Sequence, residues 1–105
     1  MSVVEVERDE FWDTVASGTV LVDVWSPDCQ PCLALAPHLE ALAEQRRDLI
    51  LAKLEATKAR RLCMQLKVMG LPTLLLFRDG EEVARITDSR LGADDVDAWL
   101  AEHLA

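Results

Sequence analysis

The sequence predicts an α/β fold with a central mixed sheet of about five strands flanked by about four helices. Short β-rich apolar runs alternate with segments of helical periodicity along most of the chain. Near residue 80, two such runs follow each other across a tight turn, which makes the sheet mixed. The chain has 105 residues, 50% of them hydrophobic, so we expect one core and a single domain over residues 1–105.

The first predicted elements are a weak strand, a helix and a strong strand. Residues 3–6 form the weak opening strand, and the spacing of Phe11, Trp12 and Val15 indicates a helix that connects it to the next strand. Residues 20–25 read Val-Leu-Val-Asp-Val-Trp, which is typical of a buried central strand interrupted by one acid.

The middle of the chain predicts a long helix, a strand and a short helix. Residues 33–47 have the pattern of an amphipathic helix, in which Pro37 should cause a kink. Its apolar positions are Leu35, Leu39, Leu42 and Ala43. Residues 50–54 predict a second buried strand, and residues 59–66 a short helix. The apolar side of that short helix carries Leu62, Cys63 and Leu66.

The end of the chain predicts a hairpin and a final helix. Asp79-Gly80 is a strong two-residue hairpin signal, and it separates two β-rich runs at residues 73–77 and 82–87. Residues 93–104 then have helical periodicity. Their apolar positions are Val96, Trp99, Leu100 and Leu104.

The charge balance limits the classes of partner. Eleven basic residues against 19 acidic ones give a formal net charge of -8, which opposes binding to nucleic acid or to an anionic membrane. We therefore expect proteins or small molecules as partners. The amino terminus has neither a basic start nor an apolar run, so we expect no signal peptide or membrane anchor, and a cytoplasmic location.

A Cys-Gln-Pro-Cys motif at residues 29–32 carries the predicted chemistry. It stands where a strand ends and the long helix begins, so the positive end of the helix should stabilise a thiolate at Cys29. Two intervening residues let one turn bring both sulfurs within bonding range, and Pro31 stiffens that turn. We expect Cys29 to be exposed and to attack, and the shielded Cys32 to resolve the mixed disulfide.

Two other interpretations of the cysteine pair remain open at this point. A structural zinc site needs four ligands, and only Cys63, His38 and His103 are available besides the pair. Alternatively, both cysteines are buried and have no role. Cys63 itself lies on an apolar helix side, as a buried small hydrophobe would, and both histidines are expected at the surface.

Asp23 is the acid that interrupts the apolar strand. Because burial disfavours an ionised carboxylate, its pKa should be raised unless a cation pairs with it. Lys53, the lone charge within residues 50–54, is the candidate partner.

The order and spacing of these motifs resemble the thioredoxin family over nearly the whole chain. The matching positions are residues 22–25, 29–32, Pro37, Lys53, 70–73 and 79–80. The resemblance implies a thioredoxin fold in which Leu71-Pro72 is a cis peptide bond that faces the disulfide and pairs with an extended substrate peptide. It also implies that Asp23 lies behind the resolving cysteine and helps to move its proton. Trp25 matches a tryptophan that packs beside the active site.

The sequence departs from the family pattern at three positions that we assign to substrate binding. Asp28 and Gln30 flank the first cysteine, where the family usually has tryptophan and glycine. Ser89 replaces a glycine of the late loop. The peptide-docking surface is therefore expected to be more polar than is usual in the family.

The resemblance implies an enzyme that reduces disulfides in client proteins. Thioredoxin reductase or an equivalent donor would regenerate its dithiol, and we expect a monomer with no bound cofactor and no metal. The alternative is a thioredoxin-like peptide-binding or chaperone module with little redox turnover, which the departures at Asp28 and Ser89 keep open.

Overall fold

The computed structural model describes residues 3–104, and a five-stranded sheet forms the centre of this part of the chain. The strands are β1 (Val3–Glu5), β2 (Thr19–Trp25), β3 (Leu49–Glu55), β4 (Thr73–Arg78) and β5 (Glu81–Thr87). The helices are α1 (Phe11–Val15), α2 (Gln30–Gln45), α3 (Arg60–Gln65) and α4 (Ala93–Leu104), with 3-10 turns at Arg8–Glu10 and Ala56–Lys58. Met1 and Ala105, the ends of the expected domain, lie outside the described residues.

The sheet is mixed, as predicted, with the strand order β1-β3-β2-β4-β5. β3 pairs in parallel with both β1 and β2, whereas β4 is antiparallel to β2 and to β5. Asp79 and Gly80 have φ angles of 51° and 90°, so both adopt the left-handed conformation that a two-residue hairpin requires. The predicted hairpin is confirmed. No helix within residues 3–104 is long and apolar enough to cross a membrane.

Two sequence-based expectations, one about a helix boundary and one about burial, differ from the structure. α2 begins at Gln30 rather than at residue 33, because Cys29 caps it and Pro31 fits the first turn, where no amide donor is needed. The helix continues through Pro37 to Gln45. The expectation that residues 50–54 are all buried was wrong at Ile50, which is 39% exposed in an open cleft beside the short α1.

Each face of the sheet covers its own part of the core. Alternate residues of a strand point to opposite faces, and Leu21 of β2 packs with Leu35 and Leu39 of α2. Val22 and Val24 pack on the other face, with α1 and α3. Asp23, two residues after Leu21, therefore lies on the α2 side of the sheet.

Candidate active site

The cysteine pair lies at the amino-terminal end of α2. Cys29 has an extended backbone and caps the helix, and its Sγ accepts a hydrogen bond of 3.2 Å from the amide of Cys32. The two cysteines form a disulfide, with their Cα atoms 5.2 Å apart. Because the free amides of a helix end carry a partial positive charge, this position favours a thiolate on Cys29 in the reduced protein.

The two cysteines differ in their exposure to solvent. Cys32 is 2% exposed, whereas Cys29 is partly exposed at the turn that follows β2. The expected difference in accessibility is therefore present. Cys29 is thus the more accessible residue of the pair.

Asp23 is buried in the middle of the sheet and is 1% exposed. Its Oδ2 has no hydrogen-bond partner among the described protein groups. Burial raises the pKa of Asp23 to about 7, with the positive charge of Lys53 opposing this rise and the negative charge of Glu40 adding to it. A carboxyl with this pKa exchanges a proton at neutral pH.

Lys53 does not form the direct ion pair with Asp23 that the sequence suggested. The two residues are register partners in β2 and β3, but Lys53 Nζ binds Glu40 Oε2 at 3.2 Å. Lys53 Nζ also lies 5.4 Å from the centroid of the Trp25 ring. A long ammonium side chain keeps better hydration beside the half-exposed Glu40 than beside a buried carboxyl, which accounts for this choice.

Trp25 ends β2 immediately before the turn that leads to the cysteines, and it is half-buried. Its Nε1 is buried with no hydrogen-bond partner among the described protein groups. Asp28 and Gln30 are both exposed. These three side chains are thus within or near the motif in sequence, and the two polar ones are the more exposed.

The peptide bond between Leu71 and Pro72 is cis, as the family resemblance implied. Side-chain hydrogen bonds fix its surroundings: Thr73 Oγ1 donates to the carbonyl of Gly70 at 2.6 Å, and Thr87 Oγ1 donates to that of Pro72 at 3.2 Å. Pro72 is buried and Leu71 is half-buried.

Two open clefts are lined by residues at which a client peptide is expected to dock. One, of about 310 Å³, is lined by Leu71 with Ser26 and Cys63. The other, of about 240 Å³, is lined by Pro31 together with Arg90 and other residues of the loop between β5 and α4. Ser89 is an exposed residue of that loop, and its contact with a peptide stays a prediction.

Cys63, His38 and His103 are buried or contact residues outside the cysteine pair. Cys63 is 8% exposed, and burial raises the pKa of its thiol. His38 Nε2 is 2.7 Å from Asp97 Oδ1 and joins α2 to α4, while the His103 ring packs against Trp99. Within residues 3–104, no cluster of three or more histidine, cysteine, aspartate or glutamate side chains could hold a metal ion.

The sequence analysis did not identify Glu40 as the partner of Lys53, because Glu40 is half-exposed and looks like any solvent-facing acid on a helix. A signal was present, because a lysine within a buried strand needs an anionic partner. In the sequence, Asp23 is the more obvious anionic partner for Lys53. The register of β2 and β3 alone does not show whether Lys53 binds Asp23 or Glu40.

Comparisons with known proteins agree with this geometry. Residues 2–102 match the family model described as Thioredoxin. A thioredoxin of Acetoanaerobium sticklandii is 37% identical over 103 residues, which cover 95% of this chain and 98% of that protein. A bifunctional thioredoxin reductase/thioredoxin of Mycobacterium leprae is 38% identical over 83% of this chain and 20% of its own length. The solved structure of a mutant thioredoxin from Halobacterium salinarum NRC-1 has a TM-score of 0.85 and 31% identity, over 99% of this chain and 92% of that one.

Proposed function

The chain belongs to the thioredoxin family and is a thiol–disulfide oxidoreductase, and we propose that it reduces client disulfides with Cys29 as the attacking thiol and Cys32 as the resolving thiol. The difference in exposure between the two cysteines carries this assignment. The amide of Cys32, which donates to Cys29 Sγ, supports it because that contact stabilises a thiolate on the accessible cysteine.

The reaction transfers two electrons from the dithiol to the client. The Cys29 thiolate attacks one sulfur of the client disulfide, forms a mixed disulfide, and releases the other client sulfur as a thiolate. Cys32 then loses its proton and attacks Cys29 Sγ, so the second client sulfur leaves. The client ends as a dithiol, and the Cys29–Cys32 disulfide forms.

Asp23 is the proposed acceptor of the Cys32 proton. It is buried on the sheet face that α2 covers, and α2 carries Cys32. A carboxyl with a pKa of about 7 is ionised in part at neutral pH and takes up a proton readily. Lys53 contributes the positive charge that keeps this carboxyl from remaining protonated far above neutral pH.

Client peptides would dock in extended form along Leu71 and Pro72. The half-exposed Leu71 and the cleft that it lines with Val68 and Met64 offer apolar surface there. Trp25, Asp28, Gln30, Pro31 and Ser89 complete the proposed docking surface. The exposed polar residues among them favour clients with polar groups next to the disulfide.

The electron donor would be thioredoxin reductase, an assignment supported by the Mycobacterium leprae relative whose name joins a thioredoxin reductase to a thioredoxin. The cysteine pair suffices for the chemistry without a bound cofactor, and the proposed enzyme acts as a single domain and a monomer. The free thiol of Cys63 is typical of a reducing compartment and supports a cytoplasmic location.

Insulin reduction coupled to thioredoxin reductase and NADPH tests the proposed function. We expect sustained NADPH consumption by the parent and by Cys63→Ser, which removes a thiol outside the pair, and none by Cys29→Ser. Peptide binding by the parent without NADPH consumption would contradict the proposal and favour a binding or chaperone module.

A further inference from the structure

Glu40 connects the buried part of the site to the surface of α2. Its Oε2 lies 3.2 Å from Lys53 Nζ, and the Glu40 side chain is 47% exposed whereas that of Lys53 is 18% exposed. Lys53 is in turn the register partner of Asp23. A chain of three charged groups therefore leads from the interior of the sheet to solvent.

The electrostatic effect of this arrangement has a definite sign. An ammonium favours the ionised form of a nearby carboxyl, and a carboxylate bound to that ammonium offsets part of its charge. Glu40 also repels the Asp23 carboxylate directly, in agreement with its contribution to the raised pKa of Asp23. Both effects favour the protonated form of Asp23.

One further charged group lies beside this arrangement: Glu5 of β1 is the register partner of Lys53 on its other side, and it is exposed. β3 supplies Lys53 and α2 supplies Glu40, together with the cysteine pair at its start. On the β4 side, the register partner of Asp23 is the uncharged Leu74. Among the described residues, Lys53 and Glu40 are the charges that act most strongly on Asp23.

We propose that Glu40 is a positioning residue, which draws the Lys53 ammonium towards the surface of α2 and thereby sets the pH range in which Asp23 exchanges its proton. This role rests on the proposed function, in which Asp23 accepts the proton of Cys32. Glu40 touches neither the client nor the reacting sulfurs in this scheme. It acts on the reaction through Lys53.

Titration of the Asp23 carboxyl by carbon-13 NMR in the oxidised protein tests the inference without reference to turnover. In Glu40→Gln, the Asp23 midpoint should move down by about half a pH unit: lost repulsion between unit charges on the order of 10 Å apart supplies roughly 0.3 unit in a water-like dielectric, and release of Lys53 towards Asp23 supplies the rest. The matched control is Glu44→Gln, which removes an exposed acid from the same helix and leaves the Lys53 contact in place. An Asp23 midpoint that moves equally in both variants, or in neither, overturns the inference.

The action through Lys53 has its own test. In a Lys53→Met background, Glu40→Gln should shift the Asp23 midpoint by less than in the parent, because only the direct repulsion remains when the ammonium that Glu40 holds is gone. Equal shifts in both backgrounds contradict the positioning role and leave only a direct repulsion.

The pH dependence of insulin reduction separates this inference from the proposed function. At pH 6, Glu40→Gln should be about two- to threefold faster than the parent, because a lower midpoint leaves more Asp23 ionised. If the pH profile of insulin reduction shows no transition that Asp23→Asn removes, the proposed role of Asp23 in proton transfer fails. The NMR titration then still decides the role of Glu40. If that transition exists but keeps the same pH midpoint in Glu40→Gln, the inference about Glu40 fails and the proposed function stands.

Discussion

The amide of Cys32 donates a 3.2 Å hydrogen bond to the sulfur of Cys29, its partner in the disulfide. One residue thus supplies both the second sulfur and a donor that stabilises negative charge on the first. The 16-residue helix α2 adds its positive end to the same atom. The reactivity of the pair is therefore set largely by the start of one helix.

Alkylation of the reduced protein should reflect this arrangement. With iodoacetamide at pH 7, we expect Cys29 to be labelled well before the other two cysteines. Cys32 is 2% exposed, and Cys63 is 8% exposed with a thiol pKa raised by burial. Peptide mapping by mass spectrometry at successive times gives the order, and comparable labelling rates at all three positions would contradict it.

The reaction of Cys29 with an anionic reagent should depend on Asp28. Both a thiolate and iodoacetate are negatively charged, and Asp28 is exposed directly before Cys29. Asp28→Asn should accelerate alkylation by iodoacetate about two- to threefold at low salt, as a unit charge roughly 7 Å away in water would predict. The acceleration should shrink at high salt because screening removes it. The uncharged iodoacetamide is the control, and the same salt-independent gain with both reagents would refute the electrostatic explanation.

The stability of the oxidised protein should fall with rising pH because of Asp23. Its pKa is about 7 in the folded protein against an ordinary value of 3.8, so the folded state binds the proton more tightly. This contribution is fully present below pH 3.8 and is lost as the pH rises through about 7. The full loss amounts to about 4 kcal/mol, of which roughly 3 kcal/mol falls between pH 5 and pH 8.5. Urea unfolding at pH 5 and pH 8.5 should show a smaller decrease in Asp23→Asn than in the parent, and identical decreases would mean that Asp23 titrates normally.

Turnover should also depend on the Asp23 carboxyl. Asp23→Asn removes the proposed proton acceptor, so we expect insulin reduction at pH 7 to slow by roughly tenfold or more. The variant should remain folded, because it replaces a buried carboxyl with a neutral amide of similar shape. Near-ultraviolet circular dichroism checks the fold. Unchanged turnover together with higher stability would leave Asp23 without a part in the reaction.

Hydropathy and spacing were enough to predict the order of strands and helices, the hairpin at Asp79-Gly80 and the position of the cysteine pair. These features depend on local patterns of apolar residues and on turn chemistry. The partner of Lys53 depends instead on where a long side chain finds both charge and water, which no local pattern contains. The exposure of Ile50 likewise depends on the length of α1, a neighbour from another part of the chain.

The assignment of Cys29 as the attacking thiol and Cys32 as the resolving thiol is tested most directly by trapping the mixed disulfide. Reduced Cys32→Ser and Cys29→Ser proteins are each incubated with an oxidised client peptide, and the products are measured by intact-mass spectrometry. We expect a stable one-to-one adduct at Cys29 in Cys32→Ser, because attack needs only the first thiol and release needs the second. Cys29→Ser should form no adduct on the same timescale. A stable adduct at Cys32 in Cys29→Ser, with none in Cys32→Ser, would contradict the account.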